Sequence, residues 1–531
     1  MARLTSFSKF LITLLIVGVV FFGVQYFMNN TDTGKELREK AQVEQNDSSV
    51  GEGASDPNTI GVGVVTWGGY AGGQYWNKGF KPNTESNYYK DHGFKVDFKI
   101  LDDPTASRNA WKNDEVQLLW ATIDALPTEM PGLAAYDPVV VFQADWSRGG
   151  DAIVVRRGIA SVGDLRGKQI AVAEMSPSHS FLIWLLGAAG MTTNDVKIVG
   201  VPSPVEAADA FKANNVDAAV VWSPFDEECV QKVPGARVLQ STRNASNIIA
   251  DVFIAKRKWV ENNRERVQQL YDGWMKGAAE INSKPAAKQE AAGILAEAFD
   301  GFTKDDALKA IDNVRLCTHG DNLNFFGLNR NNYKGVTGEE LYTRMTKEYR
   351  NIGVLKGSDA VPGWSKAAFF GAVERSALAG NEHAAEGQRV FASISESEAK
   401  GKEAVATKRV SISFRSGEYL LDDNAKYIVD NEMVPVAKAF ANSRIRVEGN
   451  TDNVGNAASN VALSKKRAQA VIDYLVKEYG MPRNRFVAIG NGPDKPVADN
   501  GSEDGRRKNR RTEIMDHRFP APNAGEFKQG E

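Results

Sequence analysis

Asp452 stands in the turn "GNTDNVG" after a strand-like run, and Arg467 follows fifteen positions later in a helix-like run. Leu463, Arg467, Val471 and Leu475 recur every four residues, so they share one helical face. A guanidinium in an apolar row needs a partner or a cleft to point into. The alternative is an arginine at the edge of the stripe whose head snorkels to water. A second set of candidates lies earlier in the chain. Ser176, Ser178, His179 and Ser180 fall where the strand-like "KQIAVAE" runs into a helix. Free backbone N–H groups and the helix dipole favour an anion there, and hydroxyls add donors. An ordinary serine N-cap has the same appearance. Trp67, Gly68, Gly69 and Tyr70 follow the first strand; the glycines allow close backbone approach, and an aromatic there forms a cleft wall or core. Asp145 and Asp151 bracket "WSRGG", Trp222 ends "DAAVVW" with Asp226 after it, and Asp251 reads as the end of another strand. Such acids hold a ligand amine or cap loops.

Bond-breaking chemistry has little material. There are five histidines in 531 residues, and no Walker loop, G-x-S-x-G or H-E-x-x-H. Cys229 in "FDEECV" stands among acids, which raise a thiol pKa. No catalytic residue, metal site or cofactor is assigned, and the chain reads as a non-enzyme. Cys229 and Cys317 are too few for a disulfide framework; they form one bond or stay as two buried thiols. His319 lies near Cys317 without a further ligand set. A net charge of −2 gives no argument for nucleic acid.

A chain of this length exceeds what one core can use. Phe10 to Thr31 carries no charge, with Arg3 and Lys9 before it and Asp32 after it. About 20 apolar residues span a bilayer as a helix, and the positive flank belongs in the cytoplasm. Residues 1–30 therefore read as a cytoplasmic tip and uncleaved anchor, with a cleaved signal peptide as the competing reading. The anchor carries no acid, so nothing in it suggests a proton path. Residues 31–58 read as a flexible linker spanning on the order of 30 Å. Residues 59–377 alternate strand-like and helix-like stretches, which predicts α/β architecture. An Ala- and Glu-rich stretch, 378–406, reads as a second linker. Residues 407–516 run strand, helix, strand, helix, strand, strand, an α+β order, and 517–531 form a tail.

The C-terminal segment resembles the OmpA-like peptidoglycan-binding domain. The resemblance rests on Thr451-Asp452, Gly455, Asn460, Leu463-Ser464, Arg467-Ala468, Gly490-x-Gly492, Pro496, Asn500, Gly505-Arg506 and Asn509-Arg510-Arg511. It implies that Asp452 and Arg467 clasp diaminopimelate in the wall peptide. A free diaminopimelate end is a zwitterion, so a carboxylate accepts from its ammonium and a guanidinium holds its carboxylate. Asn450 stands where the family usually carries His, and still offers a donor and an acceptor. Thr451 and Asn460 complete the implied site; Arg506, Asn509 and Arg510 line it or brace the last strand.

The middle segment resembles periplasmic solute-binding proteins of the nitrate, sulfonate and taurine type, whose relatives include phosphate-transporter subunits. The resemblance rests on "VTWGGYAGG", "DWSRGGDAIVVRRGIASVGDLRGKQIAVAEMSPSHSFL", "VPSPVEAADAFKANNVDAAVVWSPF" and "IIADVFIAKRKWV". It implies two α/β lobes of the type II arrangement around a ligand cleft, and a small anionic or zwitterionic solute. Trp120 and Asp124, in "DEVQLLWATIDALP", take the place of the relatives' "GxVD" wall. The whole chain then reads as a single-pass inner-membrane protein with its bulk in the periplasm. Its implied partners are peptidoglycan, the solute, the membrane and a permease or membrane complex. The alternative is a wall-anchoring scaffold whose cleft no longer binds a ligand.

Overall fold

The computed structural model describes residues 56–329, 332–401, 404–410, 412, 414 and 417–517. The segment read as membrane anchor lies outside the described residues, as do nearly all of the first linker and of the tail. Among the described residues no helix is long and apolar enough to cross a membrane. Residues from Asn58 onward form one compact unit.

Short valine-rich runs alternate with helices and collect into two sheets. The strands β1 (Thr59–Val64), β2 (Lys95–Ile100), β3 (Leu118–Thr122) and β4 (Pro138–Ser147) come first. They are followed by β5 (Asp151–Val155), β6 (Gln169–Ala173), β7 (Lys197–Val201), β8 (Ala218–Trp222) and β9 (Arg237–Ser241). Next come β10 (Ala250–Lys256) and β11 (Val314–Leu316). The first sheet has the order β11-β4-β10-β3-β1-β2 and the second β7-β6-β8-β5-β9. The chain passes from one sheet to the other at residues 148–150 and returns at 242–249, so two α/β lobes share a double hinge. Helices cover the sheets, so β3 and β5 are buried at every residue. Asp251 does not end a strand: it is the second residue of β10, which runs antiparallel between β3 and β4. Apolar residues flank it on both sides, and only the pairing partners decide on which side the strand lies.

The C-terminal segment forms a third sheet. Its strands are β12 (Ala404–Val410), β13 (Arg444–Gly449), β14 (Phe486–Gly490) and β15 (Thr512–His517), in the order β12-β15-β13-β14. The helix Ala457–Tyr479 lies on β13 and β14 and buries Ala468, Val471, Ile472 and Leu475 against Ile445 and Val447. Pro435 sits inside a helical run. The wider π turn Val429–Met433 just before it accommodates the ring and the missing N–H. The helix Glu503–Asn509, between β14 and β15, has no forerunner in the sequence pattern.

Segment 378–401 is docked along the surface of both halves. Glu386 pairs with Arg148 at 2.6 Å, Gln388 Nε2 donates to the Gly480 carbonyl at 3.0 Å, and Arg389 Nη1 donates to the Asn442 carbonyl at 2.8 Å. Polar contacts and a few buried apolar side chains, Phe391 and Ala399 among them, hold it, which is why its composition reads as a linker. The C-terminal half also touches the second hinge crossing. Asn247 donates to the Ala439 and Lys438 carbonyls at 3.0 and 3.2 Å, and Asn442 Nδ2 donates to the Arg243 carbonyl at 3.2 Å. Both cysteines are free, buried thiols.

Candidate functional site

The wall-type site sits at the C-terminal end of β13. The helix Ala457–Tyr479 stands so close to this strand that a Cβ on Gly449 would lie 2.1 Å from the Ser464 carbonyl oxygen. The turn that follows is pinned on both sides. Asn450 N donates to the Arg511 carbonyl at 2.9 Å and Thr451 N to the Gly492 carbonyl at 2.8 Å. Gly492 N in turn donates to Ser464 Oγ at 2.9 Å. Asn450, Thr451 and Asp452 are all buried.

One oxygen of Asp452 accepts from Val454 N at 3.0 Å, and the other accepts from Arg510 Nη1 at 2.6 Å. Arg510 Nη2 reaches Glu503 at 2.8 Å. The base in direct contact with Asp452 is therefore Arg510. Arg467 is buried with its guanidinium 4.8 Å from the Phe414 ring centroid, and its Nε donates to the Glu418 carbonyl at 3.1 Å. Burial, then repulsion from Arg510, lowers the Arg467 pKa, and Asp452 works against both. The Arg510 pKa is raised by its hydrogen bonds to Asp452 and Glu503. Two guanidiniums thus share the field of one carboxylate, an arrangement able to hold both ends of a zwitterion.

The remaining residues divide by role. Asn450 Oδ1 accepts from Asn491 Nδ2 at 3.1 Å, while its own buried Nδ2 has no partner among the described residues. Asn460 Nδ2 donates to the Val454 carbonyl at 2.9 Å and holds the Asp452 turn. Asn509 accepts from Val497 N and Ala498 N at 2.7 and 3.0 Å, bracing the loop before its helix. Arg506 bonds Glu503 and the Asn500 carbonyl at 2.9 and 3.0 Å and does the same. Phe414 and Glu503 join the site without having stood out in the sequence. The alternation of "RVSISF" is a signal for the first; nothing marks the second.

The other candidate site lies between the two lobes. Asp251 is the cross-strand neighbour of both Asp145 and Thr122, so the three side chains stand on one face of the first sheet. Trp67 Nε1 donates to Asp145 at 3.2 Å and Tyr70 Oη to Asp251 at 2.5 Å. A Cβ on Gly69 would fall 1.6 Å from Asp145 Oδ2, so this close approach belongs to the carboxylate. Gly68 is closed off in the same way by the Ala310 carbonyl, 2.3 Å from where its Cβ would be. In the second lobe Asp151 is the cross-strand neighbour of Trp222 and accepts from Ser147 Oγ at 2.7 Å. Trp222 Nε1 donates to Ser178 Oγ at 3.0 Å.

The helix Pro177–Ala188 starts without a side-chain cap, because Ser176 Oγ donates back to the Ala173 carbonyl at 2.6 Å. His179 Nδ1 accepts from Met175 N at 3.2 Å, and burial lowers the ring's pKa to about 4. The ring is therefore neutral with its proton on Nε2. Ser180 Oγ lies 2.8 Å from Tyr349 Oη. Trp120 is buried under the Arg108 guanidinium, 4.6 Å from its ring centroid. Asp226 is half-buried in the first turn of the helix Phe225–Lys232, and burial raises its pKa. Burial likewise pushes Asp124 and Asp145 well above the carboxylate range, and Asp151 and Asp251 up to about 7. An open pocket of about 450 Å³ lies elsewhere, lined by Phe326, Tyr333, Glu340, Lys438 and Tyr479 among others. None of the residues singled out from the sequence lines it.

Comparison with known proteins divides the chain in the same way. The OmpA family profile matches residues 413–510, and the NMT1/THI5 like profile matches residues 82–288. Outer membrane porin F of Pseudomonas aeruginosa is 38% identical over 109 residues, 20% of this chain and 31% of that protein. Peptidoglycan-binding protein ArfA of Mycobacterium tuberculosis is 38% identical over 91 residues, 17% of this chain and 28% of that protein. The chain thus spans about a third of the length of these relatives. Among solved structures, the periplasmic aliphatic sulphonate binding protein SsuA of Escherichia coli aligns with a TM-score of 0.46 at 17% identity. That alignment covers 59% of this chain and 92% of SsuA. These matches leave the phosphate-transporter form of the resemblance unconfirmed. The chain thus carries a segment similar to the NMT1/THI5 like family followed by a C-terminal segment similar to the OmpA family.

Proposed function

We propose that this is an inner-membrane-anchored envelope protein that grips peptidoglycan with its C-terminal site and holds a solute-binding module beside the wall. The observation that carries the reading is the buried Asp452 turn with two guanidiniums in its field, one bonded at 2.6 Å and one stacked on Phe414. A diaminopimelate end offers the complementary ammonium and carboxylate. Its carboxylate enters between Arg467 and Arg510, and its ammonium takes over part of the Arg510 bond to Asp452. Asn450 Nδ2 adds a buried donor at the same place. The relatives' names and the OmpA profile support the same partner. The uncharged run Phe10 to Thr31 supports the membrane anchor.

The test is co-sedimentation of the full-length chain with purified wall sacculi. Asp452→Ala and Arg467→Ala are each expected to reduce the bound fraction by about tenfold or more, the loss of one charge-assisted bond in a buried site. Arg506→Ala, which removes only a loop brace, is expected to stay within about threefold of the parent. Unchanged sedimentation of both Asp452→Ala and Arg467→Ala would sink the reading.

A further inference from the structure

Four carboxylates meet between the lobes. Asp124, Asp145 and Asp251 each feel the charge of Asp151, and Asp124 and Asp145 also feel Asp251. None of the four is more than 4% exposed. The nearest guanidiniums are engaged elsewhere: Arg108 is held by both oxygens of Glu129 at 2.6 and 2.8 Å, and Arg148 by Glu386 at 2.6 Å.

A buried acidic cluster can be a core feature that shares protons. What points to a ligand is the set of polar atoms left without partners around it. Asp145 Oδ1 has none, nor has Thr122 Oγ1 on the Asp251 face, nor His179 Nε2. The Ser180 hydroxyl lies close enough to Asp124 to favour its charged form, and it also lies 2.8 Å from Tyr349 Oη. Protein interiors leave few such atoms, and rarely several in one place. Among the described residues no group of three or more His, Cys, Asp or Glu converges closely enough for a metal ion. Trp67 bonds to one of the carboxylates and Trp222 pairs across strands with another, and indole faces attract organic cations.

We propose that the inter-lobe cleft takes a small organic cation, its ammonium or guanidinium seated among Asp124, Asp145, Asp151 and Asp251 and its carbon frame against Trp67 and Trp222. This rests on the solute-binding reading and narrows it. The expectation of an anion or zwitterion gives way to a solute whose recognised end is positive, because a bound cation offsets the burial and mutual repulsion that hold these carboxyls protonated, whereas an anion gains nothing from their ionisation. Asp124, Asp145 and Asp251 belong to the first lobe and Asp151 to the second, so one cation ties the lobes together. The Nε2 proton of His179 is left for an acceptor at the ligand's other end.

The test is isothermal titration of the full-length chain in neutral detergent. Agmatine, putrescine and choline are the cation probes, with nitrate, sulfate and methanesulfonate against them. At least one cation is expected to bind at neutral pH. Its affinity falls with pH, by up to about tenfold per unit for each proton that must leave the site. The charged and titratable groups facing Asp151 and Asp251 are Asp124, Asp145, Asp226 and Tyr70, with Arg148 and Arg108 behind them. Asp251→Asn keeps the Tyr70 hydrogen bond and is expected to lose the cation while retaining a cooperative melting transition. Binding of the anions and of no cation overturns the cation and leaves solute binding standing. A cation that binds Asp251→Asn and Asp145→Asn as tightly as the parent overturns the seat. No binding by any probe overturns both.

Discussion

At pH 8 the double variant Asp151→Asn/Asp251→Asn is expected to melt well above the parent chain, and at pH 4 at nearly the same temperature. Both carboxylates are pushed up to about 7 in the folded chain, because burial disfavours their charged form and the neighbouring acids repel it. In the unfolded chain they titrate near 3.9. The folded state therefore binds more protons between about pH 4 and 7, and stability falls as pH rises through that window. The contribution is complete below about pH 4 and gone above about pH 7. A carboxyl raised from about 4 to about 7 costs the charged folded state about 4 kcal/mol. The repulsion between Asp151 and Asp251 is shared, so the pair is worth on the order of 5 kcal/mol rather than twice that figure. In a body of this size that is about 5 °C in Tm. Asparagine keeps the acceptors for Ser147 Oγ and Tyr70 Oη, so little else changes. Scanning calorimetry at the two pH values measures it. A variant that melts at or below the parent at pH 8 refutes the strain. The stability gained is expected to come at the cost of the ligand, as at sites held ready for a charged partner.

Gly449→Ala is expected to abolish sacculus binding without touching a ligand-facing residue. Its Cβ would lie 2.1 Å from the Ser464 carbonyl oxygen and 2.8 Å from the carbonyl carbon, both backbone atoms of the helix Ala457–Tyr479. Strand and helix must part by about 1 Å to relieve the contact, at a cost of about 3 kcal/mol or more. That helix carries Arg467, and its Ser464 hydroxyl holds Gly492, whose carbonyl holds Thr451. One methyl group therefore loosens the acid and the base together. Gly455→Ala is the control. It has a φ of +93° but open space around it, so it is expected to cost only about 1 kcal/mol and to leave binding near normal. Amide exchange across residues 457–479, read beside co-sedimentation, separates the two outcomes. Parent-like protection and binding in Gly449→Ala would overturn the argument.

Much of the fold is written in local pattern. "RIRVEG" predicts β13 at its observed limits, and the four-residue spacing of Leu463, Arg467, Val471 and Leu475 marks the face of the long helix that turns inward. The strands β1, β2 and β4 to β8 follow from short β-branched runs between turn residues. β3, β9 and β11 do not. "LLWAT" is apolar up to its last residue, so it shows no alternation to distinguish a strand, and the other two are short or polar.

Site partners were less legible than site residues. Asp452 and Arg467 stand out by type and spacing. Arg510 lies 58 positions beyond Asp452, among arginines that look alike in "GRRKNRR". The antiparallel register of β15 on β13, with Thr512 opposite Gly449, brings Arg510 to the acid. The region between the lobes shows the same division. Its serines and helix start suggest an anion, and each aspartate alone looks like a loop cap. Pairing Asp251 with Asp145 and with Thr122, and closing the second lobe's Asp151 on them, turns scattered acids into one field. The sequence by itself determined most of the strands, the long helix and the residues able to recognise charge, because these depend on local periodicity and residue type, and its motifs carried the resemblance that implied two lobes and an OmpA-like domain. Which charges meet was decided only by tertiary structure, because electrostatic energy depends on distance and burial and sequence separation measures neither.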